Sequence, residues 1–249
     1  MPNYKILIQY DGSEYKGWQI QPDERTIQGE FVRVLKIISG KRVRITSSGR
    51  TDSGVHALAQ VANFWLDLKI APGSMKKALN SLLPPDIRVL KVEVAPDNFN
   101  ARFHSIEKTY FYRIFTGEVV PPFKYRYVYR HPYKLYPELM RDGARYIIGE
   151  HDFTSFTSHP SSKNMVKRVK RIEIFEVPQE EELVVEITAN GFLRYMVRII
   201  VGTLLLVGEG KIRPEDVKTI LDAKNRDLAG PTAPSRGLFL KNVVYPEEI

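Results

Sequence analysis

Residues 47–57, SSGRTDSGVHA, place several reactive side chains in one short polar stretch. Asp52 is its only carboxylate, and Arg50 stands two residues earlier. A carboxylate on such a loop can act as a nucleophile or as a general base. A neighbouring guanidinium binds phosphate through paired hydrogen bonds. The stretch therefore predicts a candidate active site at Asp52, with an ordinary polar turn as the alternative.

The triplet DSG at 52–54 also fits half of an aspartic protease site, in which two carboxylates share a proton. Only one such triplet occurs, and a chain of 249 residues is too long for the dimeric form of that enzyme class. The preceding GRT suits a phosphate better than a peptide. The count and the neighbours together argue against a protease.

Alternating apolar and polar residues predict strands on both sides of this loop and along the rest of the chain. The predicted strands are 5–10, 60–68, 87–94, 108–115, 166–177, 182–188 and 237–245. Helical spacing of apolar residues predicts helices within 26–40, 74–85, 136–149, 191–208 and 213–225. Because strands and helices do not alternate strictly, we expect an α+β fold with a mixed, largely antiparallel sheet flanked by helices. We expect two similar subdomains, 1–100 and 101–249.

Composition narrows the classes of function. With 43% hydrophobic and 27% charged residues, the chain should fold. The absence of cysteine excludes disulfides, thiol nucleophiles and thiolate metal sites, and the five histidines lack metal-ligand spacing, so we predict no metal. No apolar run is long enough to cross a bilayer, so we expect a cytoplasmic protein without a membrane anchor. A net charge of +8 favours a polyanionic partner.

The GRTDSGVHA stretch at 49–57 resembles the signature of the TruA family of tRNA pseudouridine synthases. Further stretches resemble that family in the same order: DGSEYKGWQIQP, TIQGE, FNARFHSIEKTYFYRI, GEHDFTSF and NGFLRYMVRIIVG. Together they extend over nearly the whole chain, and a nine-residue motif with several ordered partners is a specific signal. The chain as a whole therefore resembles members of this family.

The resemblance implies the pseudouridine synthase fold and the isomerisation of uridine to pseudouridine in the tRNA anticodon arm, at about positions 38 to 40. It also implies a homodimer that needs no cofactor, with Asp52 as the catalytic residue. The residues themselves leave the chemistry of Asp52 open, as a nucleophile at C6 or C1′ or as a base at C2′.

Two further site residues follow from the resemblance. Tyr110 matches the tyrosine that stacks on the target base, although its strand position also fits an ordinary core tyrosine. Arg198 falls where the family places a basic residue beside the catalytic aspartate. In so apolar a helix an arginine must reach water or a carboxylate, so we expect direct contact between Asp52 and Arg198. The alternatives are Arg194, one helical turn earlier, and Arg50.

A dense basic tract in the second half predicts contacts with the RNA backbone. It consists of Lys163, Lys167, Arg168, Lys170 and Arg171. An alternative is a solvated strand face. The run at 124–136 alternates tyrosine with basic residues and would present a tyrosine face if extended. The rival function is a noncatalytic RNA-binding module, which would have no use for a carboxylate at position 52.

Overall fold

Ten strands and five helices lie within residues 1–160 and 164–247, the parts of the chain that the computed structural model describes. The strands are β1 (Asn3–Tyr10), β2 (Ile45–Ser47), β3 (His56–Trp65), β4 (Ile87–Ala95), β5 (Glu107–Phe115), β6 (Tyr129–Arg130), β7 (Gly149–Asp152), β8 (Val166–Val177), β9 (Glu182–Ala189) and β10 (Leu238–Val244). The helices are α1 (Ile27–Ser39), α2 (Pro72–Leu82), α3 (Pro137–Arg145), α4 (Met196–Gly208) and α5 (Asp216–Ala223). The α+β class with a largely antiparallel sheet is confirmed.

The N-terminal unit contains residues 1–106 and the C-terminal segment from Phe239 onward. Strand β1 lies between β3 and β4 and is antiparallel to both, and β2 extends the antiparallel pairing along β3. Strand β10 joins β3 in parallel, with Phe239 opposite His56. The C-terminal strand β10 thus belongs to the N-terminal unit. The expected division into 1–100 and 101–249 placed this strand in the second subdomain.

Helix α1 begins and ends where its sequence predicts. The Thr26 hydroxyl caps the first turn by accepting from Gly29 N at 3.2 Å, and Gly40 ends the helix at a φ of 75°. The buried stripe of the helix includes Ile27, Phe31 and Leu35. These apolar side chains hold the helix to the unit, because burying each removes apolar surface from water.

The second unit spans Glu107–Leu238. Strand β9 lies between β5 and β8, antiparallel to both; β7 pairs with β8, and β6 runs parallel to β5. Every residue of β9 is buried. Helix α3 packs on α4 and β8, and α4 buries all of its residues except Arg198 and Leu206.

Two local features of the structure differ from what the sequence suggested. The helix predicted from residue 191 begins only at Met196, because Tyr195 has a φ of 61° and a left-handed residue cannot continue a right-handed helix. Arg194 therefore precedes α4 and is not one turn from Arg198 on its face. The run at 124–136 is not extended throughout, since turns occupy its first part and only Tyr129–Arg130 pairs as a strand.

Candidate active site

The first half of the loop that bears Asp52 is hydrogen-bonded to β3. Ser48 N donates to Val61 O at 2.8 Å, and the Ser48 hydroxyl donates to Gln60 Oε1 at 2.6 Å. Gln60 Nε2 donates in turn to Gly49 O at 2.9 Å. Ser48 and Gln60 are fully buried, so water cannot replace a lost partner. The connection from β2 to Asp52 is therefore held in one conformation.

The second half of this loop packs backbone to backbone against residues 11–18. A Cβ atom built on Gly12 would lie 2.0 Å from Val55 O. Gly17 has a φ of +88°, and a Cβ on it would lie 2.5 Å from Thr51 O. No other residue type fits at either position without moving one of the two loops. The glycines of residues 11–18 thus set the position of the backbone around Asp52.

Thr51, immediately before Asp52, is bound to the core through Tyr10. The two hydroxyl oxygens are 2.8 Å apart, and both side chains are buried. Burial raises the pKa of Tyr10 to about 12, so its hydroxyl stays neutral at physiological pH. Asp52 itself is half-buried and lies between buried Thr51 and exposed Ser53.

Asp52 is therefore a partly accessible carboxylate on a backbone fixed from both sides. A fixed backbone holds the carboxylate in one position, which favours its use as a nucleophile or a base. Arg50 is exposed on the same loop, where it can reach a phosphate. This geometry is more constrained than an ordinary polar turn would need.

Arg198 is oriented by the segment that precedes β10. Its Nε donates to Ala233 O at 2.7 Å, and Ala233 N donates back to Arg198 O at 3.0 Å. The guanidinium carbon lies 4.9 Å from the centroid of the Tyr195 ring. These contacts with Ala233 fix the direction in which the guanidinium points.

Helix α4 and the segment around Ala233 are packed at backbone distance. A Cβ on Gly202 would lie 1.7 Å from Pro231 O. Gly230 N donates to the hydroxyl of buried Thr203 at 2.9 Å. Because the helix and the segment cannot shift independently, the Ala233 carbonyl keeps its position relative to Arg198, from which it accepts a hydrogen bond.

Tyr110 lies on β5 opposite Ile187 of β9 and is 7% exposed. Its ring is edge-on to Phe192, with centroids 5.2 Å apart and planes at 85°. Tyr112 shares its face of the strand, as alternation predicts, and is fully buried. Tyr110 is thus largely packed, with a small exposed fraction through which a base could reach it.

The predicted site residues divide between the two units. Asp52 and Arg50 belong to the N-terminal unit, whereas Tyr110 and Arg198 belong to the second unit. The direct contact between Asp52 and Arg198 stays a prediction.

A family model described as tRNA pseudouridine synthase matches residues 6–104 and 144–246. The chain belongs to the tRNA pseudouridine synthase family. Relatives named tRNA pseudouridine synthase A are similar over almost their full lengths. The relative from Anoxybacillus flavithermus is 47% identical over 247 residues, which is 98% of this chain and 99% of that protein. The relative from Bacillus subtilis is 44% identical over 244 residues, covering 97% and 98% of the two chains. These relatives are isomerases, and by family the chain is an enzyme of that class.

Among solved structures, the chain is similar to one described as a crystal structure of a Cbf5-Nop10-Gar1 complex, at 12% identity and a TM-score of 0.36. The match covers 95% of this chain and 57% of that one. The synthase family model includes the positions of Asp52 and Arg198, whereas Tyr110 lies between its two matched ranges.

The predicted basic tract lies on β8, except for Lys163, which is outside the described residues. Lys170 Nζ is 2.6 Å from Glu107 Oε1, and Arg171 Nη2 is 3.3 Å from Glu186 Oε1. Lys167 donates to backbone oxygens of its neighbours, and burial lowers its pKa. Arg168 is exposed. The strand thus presents fewer available cations than its sequence suggests.

Within the described ranges, no group of three or more histidine, aspartate or glutamate side chains could hold a metal ion. No helix in those ranges is long and apolar enough to cross a membrane.

Sequence reasoning missed the residues that position the site. Gly12, Gly17 and Tyr10 stand in or beside the DGSEYKGW stretch, which the family resemblance includes without indicating a physical role for it. Its paired glycines in a polar loop were the available signal, because such pairs mark close backbone approach. The Ala233 carbonyl left no signal, since any residue supplies one.

Proposed function

We propose that this chain isomerises uridine to pseudouridine in tRNA, with Asp52 as the catalytic nucleophile. The observation that carries the proposal is the Asp52 loop: a half-buried carboxylate on a backbone fixed by β3 and by residues 11–18. Membership in the tRNA pseudouridine synthase family supplies the substrate class.

The reaction suits this set of side chains. The N1 to C1′ bond of uridine breaks, the detached uracil turns, and a C5 to C1′ bond forms. The C5 proton is lost and N1 gains one, so the isomerisation is redox-neutral. Asp52 would attack C1′ or C6 and leave again when the new bond forms. Arg198 would stabilise the negative charge of the carboxylate and of the detached base.

We propose that the target uridines lie in the anticodon stem and loop, at about positions 38 to 40. This finer assignment rests on the resemblance of the whole chain to the TruA family. The proposals that the enzyme is a homodimer and that it is cytoplasmic rest on the same resemblance. Sedimentation of the active protein tests the dimer, and activity that resides only in a monomeric species would contradict it.

Incubation of the protein with an unmodified tRNA transcript, followed by carbodiimide labelling and reverse transcription, tests the function. We expect new stops at uridines within about positions 38 to 40 and none in a transcript with cytidines there. Stops elsewhere would contradict the target assignment. Tight binding of the transcript with no pseudouridine would instead favour the noncatalytic RNA-binding module.

A further inference from the structure

Four aromatic rings of the second unit form a row that runs from the interior to the surface. The centroids of Tyr112 and Tyr129 are 6.4 Å apart, those of Tyr129 and His131 are 5.9 Å apart, and those of His131 and Tyr133 are 5.8 Å apart. Each pair is edge-to-face. Tyr112 is fully buried and Tyr133 is 62% exposed. We call these four residues the aromatic row.

The buried end of the aromatic row meets the segment that orients Arg198. The Tyr112 hydroxyl donates to Pro234 O at 2.7 Å, and Arg198 Nε donates to the preceding carbonyl, Ala233 O, at the same distance. The row therefore starts one residue from the contact of a proposed catalytic arginine and leads away from it to solvent.

Cations lie beside two of the rings, Tyr129 and Tyr133. The Arg236 guanidinium carbon lies 6.0 Å from the Tyr129 ring centroid, and Lys211 Nζ lies 4.8 Å from that of Tyr133. Both cations are exposed. Glu209 is an acidic neighbour of the row, 3.2 Å from His131 Nε2 and 2.5 Å from Lys211 Nζ. Lys211 offsets that carboxylate, so Arg236 gives this part of the surface a positive charge.

We propose that the exposed end of the aromatic row, Tyr133 with its neighbouring cations Lys211 and Arg236, is a contact surface for a single-stranded segment of the RNA substrate. The buried rings connect this surface to the segment that orients Arg198. The proposal rests on the proposed function. A nucleobase stacks on the exposed Tyr133 ring, and the backbone phosphates lie near Arg236 and Lys211. An exposed ring with cations beside it matches a base and its neighbouring phosphates in single-stranded RNA.

A second copy of the chain fits this surface less well. In a symmetric contact the same patch meets itself, which would bring the exposed cations of both copies together. All four residues of the row lie between the ranges that the family model matches, so that match assigns them no role.

Binding of an unmodified tRNA transcript, measured over a range of salt concentrations, tests the row. Tyr133→Ala should weaken binding about tenfold at every salt concentration, because stacking involves no counterion release. Tyr133→Phe keeps the ring and should bind like the original protein. Arg236→Gln should instead reduce the slope of log K against log salt by about one.

Tyr125→Ala is the matched control, because Tyr125 is a 51% exposed tyrosine with a cation, Arg126, 5.7 Å from its ring. It should bind like the original protein. Unchanged binding by Tyr133→Ala, or an equal loss in Tyr125→Ala, would overturn the proposal. A changed sedimentation coefficient with unchanged RNA affinity would assign the surface to a second copy.

The pseudouridine assay on the unaltered protein separates the two proposals. If that protein forms pseudouridine and Tyr133→Ala binds tRNA normally, the aromatic row fails and the function stands. If the unaltered protein forms none although Tyr133→Ala loses tRNA binding, the function fails and the row stands.

Discussion

The Asp52 loop and strand β8 are both polar, yet they are stabilised in opposite ways. The loop is held by uncharged contacts, namely buried hydroxyl and amide hydrogen bonds and the close approach of backbones at Gly12 and Gly17. The cations on β8 lie at the surface, where Lys170 and Arg171 pair with carboxylates. Salt and pH act on exposed charges much more than on buried neutral groups. The Asp52 loop is therefore fixed by hydrogen bonds between uncharged groups, whereas the ion pairs on the surface of β8 can change with salt and pH.

Arg198 is a cation, as are the basic residues of β8. Its side chain, however, is positioned by a hydrogen bond to an uncharged group, the backbone carbonyl of Ala233. Arg198→Met should lower turnover at saturating tRNA about 100-fold or more while changing tRNA affinity only a few-fold, because an aimed charge acts mainly in the transition state. Arg198→Lys should recover part of the loss. Single-turnover kinetics measure this effect. Arg168→Met on β8 is the control, and an equal loss of turnover there would erase the distinction between the two kinds of cation.

Gly12 tests how rigid the loop is. Gly12→Ala would put a methyl carbon 2.0 Å from Val55 O, so we expect a loss of about 1 to 3 kcal/mol in the free energy of unfolding together with reduced turnover. Gly73→Ala is the matched control: a Cβ there meets nothing within 4 Å, and its place in α2 favours alanine. Urea unfolding of both variants gives the comparison. Equal stability of the two would mean that the loops around Asp52 yield easily.

The second unit should respond to acid through His131. Burial lowers the pKa of this histidine below its usual value of 6.5, despite Glu209 nearby. Between the two pKa values the unfolded chain binds a proton that the folded chain does not, so stability is full above about pH 6.5 and falls as the pH drops towards the folded-state pKa. His131→Phe should flatten this loss in thermal unfolding scans, whereas replacing exposed His159 with Gln should not. A loss of the same size in His131→Phe would contradict the assignment.

Strand β8 should show the smallest effects. Arg168→Gln should reduce the salt slope of tRNA binding by about one if that side chain touches a phosphate. Lys170→Gln should change it less, because Glu107 already takes part of that charge. Identical slopes for Arg168→Gln and the unaltered protein would indicate that β8 faces away from the RNA.

Sequence patterns predicted the five helices and the seven longer strands, but not the short strands β2, β6 and β7 or the contacts between elements. Helix α1 follows from the Thr26 cap, the apolar spacing and Gly40, all of which are local signals. The start of α4 does not follow from local signals, because nothing in the sequence LRYM predicts the left-handed conformation of Tyr195. Charge on β8 was visible in the sequence, but its neutralisation depends on Glu107 and Glu186, which only strand pairing brings near. The motif located the Asp52 loop, whereas the support from Tyr10 and Gln60 required the register of β1 and β3.

The most direct test of the account is Asp52→Asn, assayed for both tRNA binding and pseudouridine formation. The substitution keeps the shape of the side chain and removes its charge, so we predict no detectable product with tRNA affinity unchanged or improved. Asp97→Asn, at an exposed aspartate of the same unit, should retain full activity. Turnover by Asp52→Asn within tenfold of the unaltered protein would contradict the assignment of Asp52 as the catalytic carboxylate.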